Sequence, residues 1–289
     1  MNGLPQSRYR PHTPLPSVVS ESFYVRALIH KGIFSQVLRC EHKQTRSPCA
    51  VKIVARPSDT NEGLEMVATT ELAILQGVRH PYVSRLYDVL VTSSYILCVS
   101  ELATGGNVEE YLQEHHTIPE HRASEIASML LMGLEHVHGV GLVHAHLTPQ
   151  NILFYHPGPN SKILISDFAI AKAMHSSDSI ADLLSPSISV LTSIDTSTSS
   201  AHHIAEDYYA ICYSPPELLK ANIDAATSAA DIWAVGVIVY RMLVGSLPFH
   251  ADTLHQTARL ITQGQYDFNS EVHLFFLALS FLPYSVNII

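Results

Sequence analysis

An α+β fold in two lobes, a small β-rich lobe followed by a larger helical one, is predicted by three features of this 289-residue chain. Between residues 21 and 102, short apolar runs rich in Val, Ile, Leu and Tyr alternate with polar breaks, the mark of strands. Beyond Gly105-Gly106 the apolar residues recur at helical spacing instead. Third, Asp231 to Gly245 is apolar around most of its circumference, as a helix at the centre of a large lobe must be.

Each element follows in chain order. Residues 1–20, with Pro5, Pro11, Pro14 and Pro16 and no apolar leader stretch, read as a disordered lead-in. In the small lobe, residues 21–102, strands are expected at Phe23-Leu28, Val37-Cys40, Ala50-Val54, Val83-Val91 and Tyr95-Glu101. Leu64, Ala68, Leu72, Leu75 and Val78 predict one helix from Asn61 to about Gly77. The large lobe, 103–270, opens a long helix with a capping-box pattern at Thr117-Ile-Pro-Glu120, and Ile126, Leu130, Leu134 and Val137 mark its apolar stripe. A Ser/Thr-rich insert at about 173–208 buries too little apolar surface to offset its ordering entropy and reads as a loop. Residues 271–289 form an atypical apolar tail, short for a membrane span and broken by Pro283. A packed helix, a tail anchor and a truncated or divergent lobe end all remain open there, and a membrane role is not expected.

Composition narrows the function classes. A net charge of -9, pI near 6.0 and no Lys/Arg stripe argue against nucleic-acid binding, because phosphate backbones are gripped by clustered cations. Nucleotides and proteins are the expected partners. Cys40, Cys49, Cys98 and Cys212 form no C-x-x-C pair and read as packed thiols of a reducing compartment, the cytoplasm with the nucleus left open.

The chemistry-bearing motifs fall in a telling order. They are His30-Lys-Gly-Ile-Phe-Ser35, Ala50-Val-Lys-Ile-Val54, Glu71 ahead of Arg79-His-Pro81, Glu101-Leu-Ala103 before Gly105-Gly106, His144-Ala-His-Leu-Thr-Pro-Gln-Asn151, Ser166-Asp-Phe-Ala169 and Ser214-Pro-Pro-Glu217. From Phe23 to Ser270 this series resembles the protein kinase superfamily, in particular its calcium/calmodulin-kinase-like serine/threonine group. The resemblance implies a kinase-like two-lobed fold with ATP and Mg²⁺ as cofactors. It implies that Gly32 is the survivor of a glycine-rich phosphate lid, and that Lys52, paired with Glu71, faces the α- and β-phosphates. Adenine would meet the backbone of Glu101 and Ala103 between apolar walls from Val37, Ala50 and Leu153, with Ser100 as a small gatekeeper and Asn107 within reach of the ribose. Asn151 and Asp167 would hold Mg²⁺ through hard oxygen ligands. Leu75, Leu86, His144 and Phe168 match an internal stack of apolar side chains, and Asp231 the anchor beneath it.

Departures from the pattern fall on the reacting groups. His146 stands where the family has its catalytic Asp, Thr148 replaces the phosphate-facing Lys, Ala145 replaces an Arg, and Ala169 replaces a glycine. General-base assistance is worth about 10²–10⁴-fold, so the implied phosphoryl transfer is impaired. Three readings stay open: a pseudokinase that binds Mg·ATP and regulates or scaffolds protein partners, a weak serine/threonine kinase with His146 as an atypical base, and a nucleotide-free scaffold. Glu217 matches a carboxylate that the family pairs with an Arg late in the large lobe, yet no Arg follows Arg259.

Overall fold

The computed structural model describes residues 15–31, 35–55, 72–92, 94–158, 160–168, 211–219 and 227–266. The small lobe is a five-stranded antiparallel sheet in the order β1-β2-β3-β5-β4, built from β1 (Phe23–Lys31), β2 (Ser35–His42), β3 (Pro48–Ala55), β4 (Leu86–Val91) and β5 (Tyr95–Ser100). Two helices accompany it: α1 (Ser17–Ser22) before the first strand and α2 (72–77), the described end of the helix expected from Asn61. The lead-in expected to 20 is therefore helical in its last part. Val19 is 0% exposed and packs with Phe23, Leu38, Cys40 and Val51 on the face of the sheet away from the cleft.

Four of the five predicted strands lie inside the observed ones or overrun them by one residue. The fourth is shorter than expected, because Val83 leaves the small-lobe sheet and bridges to Ile165 of the large lobe. Ser84 N–H donates to the Ile165 carbonyl at 2.9 Å, and Ile165 N–H to the Tyr82 carbonyl at 2.8 Å. This backbone exchange ties the two lobes together behind the cleft.

The large lobe contains α3 (Val108–His115), α4 (Glu120–Gly139), the hairpin of β6 (Ile152–Phe154) and β7 (Ile163–Ile165), α5 (Pro216–Leu219), α6 (Ser228–Val244) and α7 (Leu254–Gln263). The predicted stripe of α4 is borne out: Ile126, Leu130, Leu134 and Val137 are all 0% exposed and pack with Val235, Ile238, Val239 and Met242 of α6. Burying each such side chain is worth about 1.5–3 kcal/mol, which makes this helix pair the stable base of the lobe. Its start differs from expectation. Pro119 occupies the position before the first turn and no side chain caps it, whereas a full capping box forms at α3, where Asn107 accepts from Glu110 N–H and Glu110 accepts from Asn107 N–H. Gly245, at φ 81°, ends α6 in the left-handed conformation that glycine adopts freely.

All four cysteines are buried, and none is joined to another in a disulfide. Cys40 and Cys49 face each other across β2 and β3, and burial pushes their thiols up to about 12 and about 11. Among the described residues no helix is long and apolar enough to cross a membrane. The Ser/Thr-rich insert from about 173 to 208 and the tail at 271–289 lie outside the described residues.

Candidate active site

Register sets the roof of the cleft. Val37 pairs with Lys52 across β2 and β3, and Ala50 lies two residues before Lys52, so all three share one face of the sheet. All are half-buried. Leu153 in β6, also half-buried, supplies the opposite wall. Between them runs the strap 101–106. Glu101 N–H is taken by the Arg85 carbonyl at 2.9 Å, while no hydrogen bond engages the backbone of Ala103 among the described residues. An adenine edge has a free peptide group to read there.

The strap reaches the wall because of glycine. A Cβ on Gly105 would stand 2.3 Å from the His156 carbonyl oxygen and 2.6 Å from the Phe154 Cβ, and Gly106 has φ 78°. That close approach lets Gly105 N–H donate to the Phe154 carbonyl and Phe154 N–H to the Gly106 carbonyl, both at 2.9 Å. Asn107 follows directly. Its Oδ1 is committed to the α3 cap at 2.8 Å, which leaves the side-chain amide N–H₂ for a ribose.

Charge concentrates at Lys52 and Asp167, whose Nζ and Oδ1 are 2.9 Å apart. Burial works to raise the Asp167 carboxyl, but the Lys52 ammonium, through its charge and its hydrogen bond and with smaller help from His144 and His146, holds it below the usual carboxylate range. Asp167 adopts φ 65°, a left-handed conformation that Asp tolerates better than most residues. Beside it Asn151, 8% exposed, donates from Nδ2 to the His146 carbonyl at 2.8 Å, and its Oδ1 has no partner among the described residues. One carboxylate, one amide oxygen and one ammonium thus meet at the cleft. Hard oxygen donors with a cation alongside suit a magnesium-chelated polyphosphate.

The loop carrying His146 is fixed from below. Asp231, 1% exposed in the first turn of α6, accepts from His144 N–H, Ala145 N–H and the His138 ring nitrogen Nε2, each at 2.8 Å. His144 Nε2 donates to the Ser166 carbonyl at 2.8 Å, so its Nδ1 is the acceptor that receives His146 N–H at 3.3 Å. The His144 ring also lies against Phe168, centroids 4.5 Å apart, and with Leu75 and Leu86 the four are each no more than 6% exposed. At the rim, the His146 side chain is exposed, whereas Thr148 is 3% exposed and lies beneath the surface. A cavity of about 10 Å³, room for a single water, lies under the loop between Ala145, Thr148, Tyr213 and Asp231.

Gly32, Glu71 and Ala169 lie outside the described residues, so the phosphate lid, the partner expected for Lys52 and the conformation expected for Ala169 are not described. Of the other predicted residues, Lys52 and Asp167 are in direct contact and Asn151 is tied to the His146 carbonyl, whereas Thr148 is buried beneath the loop. Glu217 is half-buried rather than enclosed, and no cation pairs with it among the described residues. Two polar links were not foreseen. His138 reaches Asp231 across 93 positions, and Glu109 pairs with Arg241 at 2.6 Å across 132, with Arg241 also donating to the Tyr213 hydroxyl at 3.2 Å. Neither partner is marked by local spacing.

Comparison with known proteins agrees with this geometry. The family described as protein kinase domain matches residues 23–274. Human serine/threonine-protein kinase H1 is 34% identical over 253 residues, which cover 88% of this chain and 53% of the relative. Human serine/threonine-protein kinase H2 is 34% identical over 247 residues, 86% of this chain and 57% of the relative. The rat calcium/calmodulin-dependent protein kinase type 1B is 27% identical over 252 residues, 87% and 65% respectively. The chain spans little more than half the length of the kinases H1 and H2 that it matches.

Proposed function

Since the chain belongs to the protein kinase domain family, we propose that it is a pseudokinase: a Mg·ATP-binding module of the cytoplasm whose phosphoryl transfer is impaired and which regulates or scaffolds protein partners. One observation carries the reading. Lys52 and Asp167 meet at 2.9 Å beside Asn151, whose Oδ1 has no partner among the described residues, while the position of the family's catalytic base is held by His146.

The chain's own residues divide the work. Lys52 supplies the cation for the phosphates and keeps Asp167 ionised; Asp167 and Asn151 offer oxygen ligands; Ala103 and the walls Val37, Ala50 and Leu153 receive the base. Bound magnesium would neutralise phosphate charge and orient the terminal phosphoryl group. No carboxylate stands at position 146 to take a hydroxyl proton, and Thr148 lacks the ammonium that would balance the charge developing in transfer.

Thermal unfolding with and without Mg·ATP tests the binding claim. At a nucleotide concentration one hundred times Kd, linkage stabilises the fold by about 2.7 kcal/mol. Asp167→Asn should abolish most of that gain. An unmoved midpoint at millimolar nucleotide leaves the nucleotide-free scaffold as the reading. A weak serine/threonine kinase is the alternative, favoured by the exposure of His146 at the cleft rim. A neutral imidazole can accept a proton at pH 7. Labelled phosphate transferred by the wild type but not by Asp167→Asn would establish that alternative.

A further inference from the structure

We infer that the small lobe carries an anion site, formed by Arg26, Lys43 and Arg46 around Tyr24 at the end of the sheet where β2 turns into β3, that takes the phosphoryl group of a phosphorylated peptide side chain. The site is separate from the cleft. It draws on three pieces of chain: the end of α1, strand β1 and the turn between β2 and β3.

Three cations converge on one ring. The Arg26 and Arg46 guanidinium carbons lie 5.5 and 5.2 Å from the Tyr24 centroid and the Lys43 ammonium 5.3 Å. Tyr24 itself is 41% exposed. The turn that presents Arg46 is closed by Arg46 N–H on the His42 carbonyl and His42 N–H on the Ser47 carbonyl, both 2.9 Å, with Arg46 at φ 60°. Lys43 is pinned at both ends, its backbone N–H on the Ser22 carbonyl at 2.9 Å and its Nζ on the Ser20 carbonyl at 2.6 Å. The cations are thus held by backbone that the fold already fixes.

Among the described residues, one carboxylate pairs with them. Glu41 bridges Arg26 at 2.7 Å and Arg46 at 2.9 Å, and these two guanidiniums hold it below the usual carboxylate range. Each guanidinium has five N–H donors, so most of both forks are left over. The surroundings sharpen the imbalance. Residues 15–55 contain six of the chain's 17 Lys and Arg but two of its 26 Asp and Glu, although the whole chain carries -9. A local positive potential on an acidic protein selects an anionic ligand and speeds its encounter.

Shape then chooses the anion. Guanidinium forks match phosphate geometry, and clustered Arg with a neighbouring cation is the recurrent means of reading phosphorylated side chains. The cations gather around one ring rather than along a stripe, and two of them share one carboxylate, which fits one dianion and not a nucleic-acid backbone.

The test is isothermal titration calorimetry of the full chain with a short phosphoserine peptide and with its unphosphorylated parent. Saturable binding of the phosphopeptide alone is expected, weakening as salt rises. The double variant Arg26→Gln/Arg46→Gln should lower affinity tenfold or more, and Lys43→Gln should lower it to a smaller extent. Lys52→Met should leave it unchanged. Absence of binding, equal binding of the parent peptide, or indifference to the arginine variants overturns the inference. So does loss of binding in Lys52→Met, which would assign the phosphoryl group to the cleft, or capture of phosphatidylserine vesicles in place of the phosphopeptide. A negative nucleotide titration with a positive peptide titration would separate the failure of the functional proposal from that of this site.

Discussion

Asp167 depends on Lys52 for its charge, and that dependence is measurable. Its folded pKa lies below the unfolded value of about 3.9. The pair therefore adds stability above that value, and the contribution is lost as acidification passes through the lowered folded pKa. Lys52→Met removes the cation and leaves burial to act alone, so the carboxyl should then titrate above its ordinary value. Carbon NMR of the Asp167 carboxyl in both proteins reads the difference; an unmoved titration would mean that the 2.9 Å contact does not persist in solution. The Asp167 side chain is 37% exposed, so solvent screens the pair and the stability change should stay below about 1 kcal/mol. Lys52, Asp167 and Asn151 were legible in the sequence because each sits inside a short motif whose neighbours identify it. His138 was not, since its partner Asp231 is remote in sequence and no local pattern distinguishes one histidine among 18.

At the scale of elements, α6 holds the loop that α4 and β6 enclose. Asp231 accepts two backbone N–H groups from positions 144 and 145 and the His138 ring. Asp231→Ala would strand these donors in the interior, at a cost of about 1–3 kcal/mol for each unsatisfied group and so at least about 3 kcal/mol together. Urea unfolding should record that loss as a lower midpoint with little change in slope. The strap offers a second test. Gly105→Ala drives a Cβ into the His156 carbonyl, and backbone cannot yield as a side-chain tip does, so a loss of about 1–3 kcal/mol is expected in the same assay. Helix α4 and the strands were readable because their apolar residues repeat at the period of the element. The start of α4 was misread for a physical reason: Thr117 has the composition of a cap, but Pro119 takes the position before the first turn. Strand β4 was drawn too long because Val83 is apolar and extended in either setting, and periodicity cannot say that its bridge partner is Ile165 in the other lobe.

For the molecule as a whole, scaffold and reacting groups have separate fates. The core runs unbroken from Val54 and Leu75 of the small lobe through Leu86 and Phe168 to Ile238 of the large one. Packing of that kind does not require Asp at 146 or Lys at 148, which are cleft groups attached to an anchored loop. Replacing them should therefore be a chemical change more than a folding one. His146 is exposed, so His146→Asp should leave the unfolding free energy within about 0.5 kcal/mol. Thr148 is 3% exposed, and its replacement by Lys must swing the ammonium out to the cleft, because the cavity of about 10 Å³ beneath the loop has no room for it. The single variant His146→Asp should raise transfer of labelled phosphate from Mg·ATP by about 10²–10⁴-fold if proton removal is the missing step. Adding Thr148→Lys should raise it further by balancing charge at the transferred group. If both variants bind nucleotide and keep the stability of the wild type yet transfer nothing, the deficit lies in how the lobes present the phosphates rather than in the two lost side chains.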